Sequence, residues 1–261
     1  MLKYFFSAIL FLFAVNALAT HSLPSEPQAL KHSKQLILVI TKNWNAPTGT
    51  LQLLQRTNSN KKWQPINKQF HPVIVGKTGL AWNARYKKFN LTGPYKKEGD
   101  NKAPAGVFIL KYFFGFNPQK NNNMRLTYIP LYNSTVCVCD PNSKYYNQII
   151  DNKQVAQPDW RYEELMRSTK QYRYGIVINY NRDPAQPGAG SCIFMHIWDK
   201  PTSSGTAGCT AMSKANLHKI LTWLDPAKHP VLVQLPQKQY ELLKRKWNLS
   251  MDRFTKTTYH T

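Results

Sequence analysis

Apolar residues in this chain gather in short runs rather than in long one-sided stripes. Residues 36–40 are an unbroken apolar run and predict a first strand. Residues 50–56 and 63–66 flank Asn58-Ser59-Asn60, the composition of a hairpin turn. Residues 73–75 lead into Gly76 and Gly79, a strand running into a turn. Residues 84–106 are basic, contain Gly93-Pro94 and Gly99-Asp100, and read as a long surface loop. Strand character returns at 107–114, and again at 127–139, where Pro130 interrupts it. Residues 160–172 follow Pro158-Asp159 and predict a helix with Asp159 as its N-cap.

The C-terminal half continues the pattern. Residues 176–180 and 192–197 are short and apolar and predict buried strands. Within the second run, Cys192, Phe194 and His196 fall on one face. Leu217, Ile220, Leu221 and Leu224 recur at helical spacing, with Ser213 as cap and Asp225-Pro226 as stop. Residues 230–235 predict a late strand and 237–247 a basic helix. There is no internal repeat. Strands dominate, so the expected class is mostly β, largely antiparallel, with accessory helices.

The ends divide the chain further. Lys3, a nearly wholly apolar stretch over residues 5–15, and Ala17-Leu18-Ala19 have the layout of a secretory signal peptide, so residues 1–19 are expected to be removed. The apolar run is short of the roughly 18–20 residues of a spanning helix, and nothing later is longer, so no membrane span is expected after cleavage. Residues 20–35 are polar, contain Pro24 and Pro27, and read as a flexible lead-in. One main folded unit is expected over 36–236, with a basic helix and tail over 237–261.

Charge narrows the partners. Lys plus Arg number 35 against 13 Asp plus Glu, a formal net charge of +22. Such a field favours an anionic partner. The basic residues are dispersed and no nucleic-acid motif is present, so nucleic acid is not expected, and anionic envelope polymers are the better candidate for an exported chain. Export also places Cys137, Cys139, Cys192 and Cys209 where disulfides form. Cys137 and Cys139 lie two apart on one strand face and do not pair with each other; Cys192 is the better partner for either. Cys137-x-Cys139 lacks the spacing of a zinc site, and neither a metal nor a cofactor is expected.

The chemistry concentrates in Gly190-Ser191-Cys192-Ile193-Phe194-Met195-His196 and, thirteen positions after His196, Thr206-Ala207-Gly208-Cys209. An imidazole ends an apolar strand, and a thiol follows in a small-residue loop. A thiol becomes a strong nucleophile once it loses its proton, and a nearby histidine can take that proton. Gly208 has no side chain, so a carbonyl can approach the thiol and the backbone N–H groups beside it. Four residues of strand span roughly 13 Å, so Cys192 cannot reach His196 along its own strand, whereas Cys209 can fold back. The pattern points to acyl transfer by Cys209.

These stretches resemble the L,D-transpeptidase catalytic domain family of the YkuD type, whose signature is a histidine followed by Ser/Thr-x-Gly-Cys. Further similarity lies in residues 75–82 (Val-Gly-Lys-Thr-Gly-Leu-Ala-Trp), 97–108 (Lys-Glu-Gly-Asp-Asn-Lys-Ala-Pro-Ala-Gly-Val-Phe), 140–147 and 224–226, so the likeness runs from about residue 36 to 236. The resemblance implies a β-sandwich or partly open barrel with the cysteine in a cleft. It implies that Cys209 attacks a peptidoglycan stem peptide after its third residue, and that an amine or water takes the thioester. It implies His196 as base, the backbone N–H groups of Gly208 and Cys209 as oxyanion donors, and Thr206, Ser204 and Trp198 as substrate contacts. Many members carry His immediately before Gly-Cys and Arg or Asn two residues after the Cys; here those places hold Ala207 and Ala211. Two rival expectations follow: the same chemistry with water as acceptor (a carboxypeptidase or amidase), and a wall-binding protein without catalysis.

Overall fold

A computed structural model describes residues 23–199 and 205–250. The expected signal peptide, Ser204 and the C-terminal tail beyond residue 250 lie outside the described residues. The strands are β1 (Gln35–Thr41), β2 (Thr48–Gln55), β3 (Gln64–Pro65), β4 (His71–Ile74), β5 (Leu80–Trp82), β6 (Ala103–Gly115) and β7 (Thr127–Pro130). They continue with β8 (Thr135–Val138), β9 (Ile149–Asp151), β10 (Glu163–Leu165), β11 (Tyr174–Ile178), β12 (Phe194–Ile197), β13 (Thr210–Met212) and β14 (Val231–Pro236). Three short helices accompany them: α1 (Gln28–His32), α2 (Lys214–Trp223) and α3 (Gln237–Leu243).

The main sheet runs β1-β14-β6-β11-β12-β13-β4-β2-β3, and β2 also pairs with β1, so the ladder returns on itself as a barrel. This is the mostly β architecture that the strand-rich pattern implied, with the barrel-like closure that the resemblance implied. Most pairings are antiparallel, with β1–β14 and β12–β13 among the parallel ones. Every residue of β1 and of β14 is buried, as the unbroken apolar runs require of strands covered on both faces. Helix α2 turns its Leu217, Ile220 and Leu221 inward, and the Ser213 hydroxyl accepts from Asn216 N at its start. Inside the barrel Gln234 is fully buried but satisfied: its amide donates to Pro104 O at 2.9 Å and accepts from Thr210 Oγ1 at 2.8 Å. That bond ties β14 to the first residue of β13, next to Cys209.

A separate three-stranded sheet, β10-β8-β9, lies beside the barrel. It corrects the helix expected over 160–172. Glu163–Leu165 pairs antiparallel with β8, and only Lys170–Arg173 winds, as one 3-10 turn. The apolar positions of that segment, Trp160, Leu165, Met166 and Tyr172, do not share a helical stripe, and β8 has a free edge that accepts a strand. Asp159, expected as a helix cap, instead takes Ser143 Oγ at 2.6 Å and Lys144 N at 3.3 Å.

Three further segments differ from expectation. Residues 23–34, part of the expected flexible lead-in, contain α1 with Leu30 buried, and Arg56 closes its end through Leu30 O, Lys31 O and Ser33 O. Residues 84–106 are not a surface loop throughout: Ala84–Phe89 forms a 3-10 helix, β6 begins at Ala103, and Lys96 is buried. The Asp100 carboxylate organises that turn, accepting from Lys96 Nζ at 2.6 Å, Lys97 N at 2.8 Å and Lys102 N at 2.9 Å. The C-terminal helix stops at Leu243, short of 247, and Trp247 beyond it donates to Pro24 O at 3.0 Å.

Candidate active site

His196 and Cys209 reach the site through two adjacent parallel strands. The register of β12 on β13 sets Met195 opposite Thr210 and His196 opposite Ala211, so Cys209, one residue before β13, falls beside Phe194. Phe194 and His196 share a strand face. The Phe194 N–H donates to Cys209 Sγ at 3.3 Å, and the thiol points to Cys192 O at 3.6 Å. Both side chains are nearly buried, at 9% and 7% exposure, and both line one cavity of about 460 Å³.

The loop that delivers the thiol is fixed by small residues and by Thr206. Thr206 N donates to Val75 O at 2.8 Å, and Lys77 N donates to Thr206 O at 2.8 Å, docking the loop on the chain after β4. Gly208 has φ +146°, and a Cβ there would lie 3.0 Å from Lys102 O, so glycine is required by both backbone and space. The Thr206 hydroxyl donates to Cys209 O at 2.7 Å and accepts from Gly208 N at 3.1 Å. Thr206 thus shapes the loop as well as lining the cavity. Gly208 N–H, expected to be an oxyanion donor, is occupied by that hydroxyl in this conformation.

Electrostatics set both groups neutral. Burial pushes the Cys209 thiol up to about 12, with the Glu164 carboxylate adding to the effect, while the Phe194 N–H opposes it. Burial also lowers His196 below the ordinary histidine value. His196 Nδ1 lies 2.8 Å from Ile197 O, which fixes the proton on Nδ1 and leaves Nε2 as the basic atom. The Tyr172 ring stands edge-on to the imidazole, 5.2 Å between centroids.

The remaining cysteines divide cleanly. Cys137 on β8 is bonded to Cys192, which joins the small sheet to the entry of β12. Cys139 and Cys209 are free. Cys192 is not in strand geometry with Phe194 and His196: its φ is +54°, and β12 begins only at Phe194. Asn147 holds this bend by accepting from Cys192 N at 2.9 Å. Trp198 lines the cavity. Among the described residues no group of three His, Cys, Asp or Glu side chains could hold a metal ion.

Residues 44–233 match the L,D-transpeptidase catalytic domain, YkuD. The chain belongs to that family. No curated protein matches it. A solved structure of Bdellovibrio bacteriovorus Bd1075 is similar at 14% identity with a TM-score of 0.38, over 88% of this chain and 59% of that one, so the chain spans less than two thirds of it.

As a YkuD domain, the chain has its own variations at the two departures from the signature. Ala211 is fully buried opposite His196, and Ala207 is exposed at the cavity. The structure also adds residues that the sequence patterns did not single out. Tyr172, Glu164, Glu98 and Asn101 line the cavity, as does Cys139, which the sequence offered only as a disulfide candidate. The signal of Tyr172, Glu164, Glu98 and Asn101 was weak because they come from segments read as helix or loop, and the disulfide beside them had an open partner.

Proposed function

We propose that this YkuD protein is a cysteine L,D-transpeptidase acting on peptidoglycan stem peptides, exported to the periplasm or cell envelope. The observation that carries the reading is the meeting of Cys209 and His196 in one cavity, with His196 Nδ1 anchored to Ile197 O and Nε2 available. His196 Nε2 takes the thiol proton as Cys209 Sγ attacks the carbonyl carbon of the stem's third residue. Because the thiol rests protonated, proton transfer accompanies attack rather than preceding it. The amide C–N bond breaks, the proton passes to the departing terminal amino acid, and a thioester remains. An acceptor amine attacks the thioester carbon, its proton goes to His196, the C–S bond breaks, and the thiol is regenerated. The Cys209 N–H serves the oxyanion; Gly208 N–H joins it if the Thr206 hydroxyl turns away. Trp198, Thr206 and Ser204 contact the peptide.

Water in place of the amine gives the hydrolytic reading, the second one. The basic surface, including Lys34, Lys61 and Lys228 around one groove, suits anionic envelope polymers. Incubation with purified peptidoglycan, followed by mass analysis of the stem peptides, tests the function. New cross-links support transfer, shortened stems support hydrolysis, and unchanged stems with no Cys209 adduct sink both.

A further inference from the structure

The sequence scatters its basic residues, but the fold gathers several of them. β1 pairs parallel with β14 and antiparallel with β2, with Leu36 opposite Val231 and Gln35 opposite Gln55. The segments just outside these three strand ends therefore meet at one end of the barrel. Lys34 N donates to Lys228 O at 2.8 Å, and Arg56 N donates to Lys34 O at 3.1 Å, so three cationic residues far apart in sequence share one hydrogen-bonded backbone. The turn after β2 adds Lys61 and Lys62, and together they line a groove of about 770 Å³. Five of the ten described residues lining it are Lys or Arg, against 35 of 261 in the chain, and none is Asp or Glu.

An independent sign of a ligand is Arg56, which lines the groove yet is only 5% exposed. Its Nε donates to Ser33 O and its Nη2 to Leu30 O and Lys31 O, and its guanidinium lies 4.2 Å from the centre of the Trp63 ring. Its Nη1 is buried with no hydrogen-bond partner. Burial lowers its pKa from the ordinary arginine value, with the Glu26 carboxylate opposing. A buried cation one bond short, at a groove of ammonium groups with no lining carboxylate, is stabilised by an incoming anion.

The rest of the lining selects the anion. Gln55, Asn60, Gln64 and Thr57 supply amides and a hydroxyl, which suit sugar hydroxyls as donors and acceptors. Among the described residues no aromatic side chain lines the groove to stack a base, and Ala227 is the sole apolar one, too little for insertion into lipid. Lysine binds phosphate as a point charge, and separate lysines suit separate phosphates. We infer that this groove binds a phosphorylated saccharide, holding at least two phosphates among Lys34, Lys61 and Lys228, with Arg56 as a fixed charge. The inference rests on the proposed export only for the source of the ligand, an envelope glycan. The groove stands apart from the cleft. Ile74, which lines the cavity, pairs with Thr48 at the start of β2, and Gln55 ends that eight-residue strand at the groove, roughly 23 Å along it. A glycan held there fixes the protein to the envelope and leaves the cleft open to stem peptides.

The test uses three soluble probes: a disaccharide carrying two phosphates, its unphosphorylated parent, and inorganic pyrophosphate. Calorimetry at physiological salt reads each affinity. The bisphosphate should bind on the order of 100-fold tighter than the unphosphorylated disaccharide, from two charge-assisted contacts of about tenfold each. It should also bind tighter than pyrophosphate, which lacks the sugar. Lys61→Gln combined with Lys228→Gln should weaken the bisphosphate on the order of tenfold or more. Lys42→Gln combined with Lys87→Gln removes the same charge from exposed positions outside the groove and should weaken it far less. Equal affinity for the bisphosphate and the unphosphorylated disaccharide overturns the inference, and this comparison needs no variant. An equal loss in the two double variants also overturns it, since a diffuse field would then suffice. So does binding of a single-stranded oligonucleotide, or of phosphatidylglycerol vesicles, by a protein that ignores the bisphosphate. Acylation of Cys209 by a short stem peptide is read separately on the native protein. Bisphosphate binding without acylation supports the groove and removes the acyl-transfer reading, and acylation without bisphosphate binding does the reverse.

Discussion

The Cys209 thiol lies 3.6 Å from the backbone carbonyl of Cys192, at the residue whose own sulfur is bonded to Cys137. The disulfide therefore joins the small sheet to the barrel beside the thiol, alongside the hydrogen bonds of Asn147 to Tyr180 O, Asn181 O and Cys192 N. The bond reinforces a wall in which the Tyr172 hydroxyl already contacts both the Cys209 thiol and the Glu164 carboxylate.

Replacing Cys137 and Cys192 together by alanine should lower stability by about 2–5 kcal/mol, the usual range for a native disulfide. Acylation of Cys209 should fall as well, because the wall loosens. Denaturant unfolding and intact-mass detection of the acyl-enzyme measure the two effects. Undiminished acylation in the folded variant would show that the bond serves stability alone.

Cys209→Ala should abolish the acyl-enzyme, and Cys139→Ala should leave it. Both thiols are free and line the cavity, but Cys209 is the one paired in register with the strand that carries His196, its sulfur accepting from Phe194 N–H. Peptide mapping of the adduct decides between them; an adduct on Cys139 refutes the assignment.

His196→Ala should slow acylation by roughly 10²–10⁴-fold, the contribution of a positioned general base. In the native protein, the imidazole accepts a proton only when neutral. Since burial lowers its pKa, kcat/KM should rise with pH through a midpoint below 6.5 and then stay level across neutrality. The thiol, raised to about 12, contributes no step near 8–9. A rising limb there in the measured pH profile would mean that an ordinary thiolate is the reactant.

Gly208→Ala should cost about 1 kcal/mol or more, since alanine is strained at positive φ, and its Cβ would meet Lys102 O at 3.0 Å. The loop would shift and carry the thiol with it, so acylation should fall more than stability predicts. Thermal unfolding and acylation rates measured on one preparation separate the two.

Association with envelope fragments should weaken steeply as salt rises, because exposed charges are screened over roughly 8–10 Å at physiological ionic strength. Co-sedimentation across a salt series reads this directly. Salt-independent association would assign the +22 surface to solubility instead.

Much of the barrel was legible because its strands are continuous apolar runs: residues 36–40 and 230–235 become β1 and β14, and helix α2 follows its heptad-like leucines and isoleucine. Cys209 and His196 stood out through residue type and loop composition. The small sheet did not. β10 is three residues long with one apolar member, Leu165, and its existence depends on an edge offered by β8, a tertiary fact without local periodicity. Tyr172 and Glu164 went unnoticed for the same reason. Lys96 read as one more surface cation, because its burial depends on Asp100 four residues later closing the turn. The orienting partner of His196 is a backbone carbonyl, which no side-chain pattern can encode.

The pairing of Cys137 with Cys192 also gives a newly made chain a sorting problem. Two of its four cysteine thiols must oxidise with each other, and the two left over face the same cavity. A molecule that pairs Cys209 with any of the others would have the right composition and mass but a blocked Cys209 thiol. The yield of active protein is then decided by thiol exchange during maturation, and an oxidant that acts faster than β8 and β12 come together would trap the wrong product.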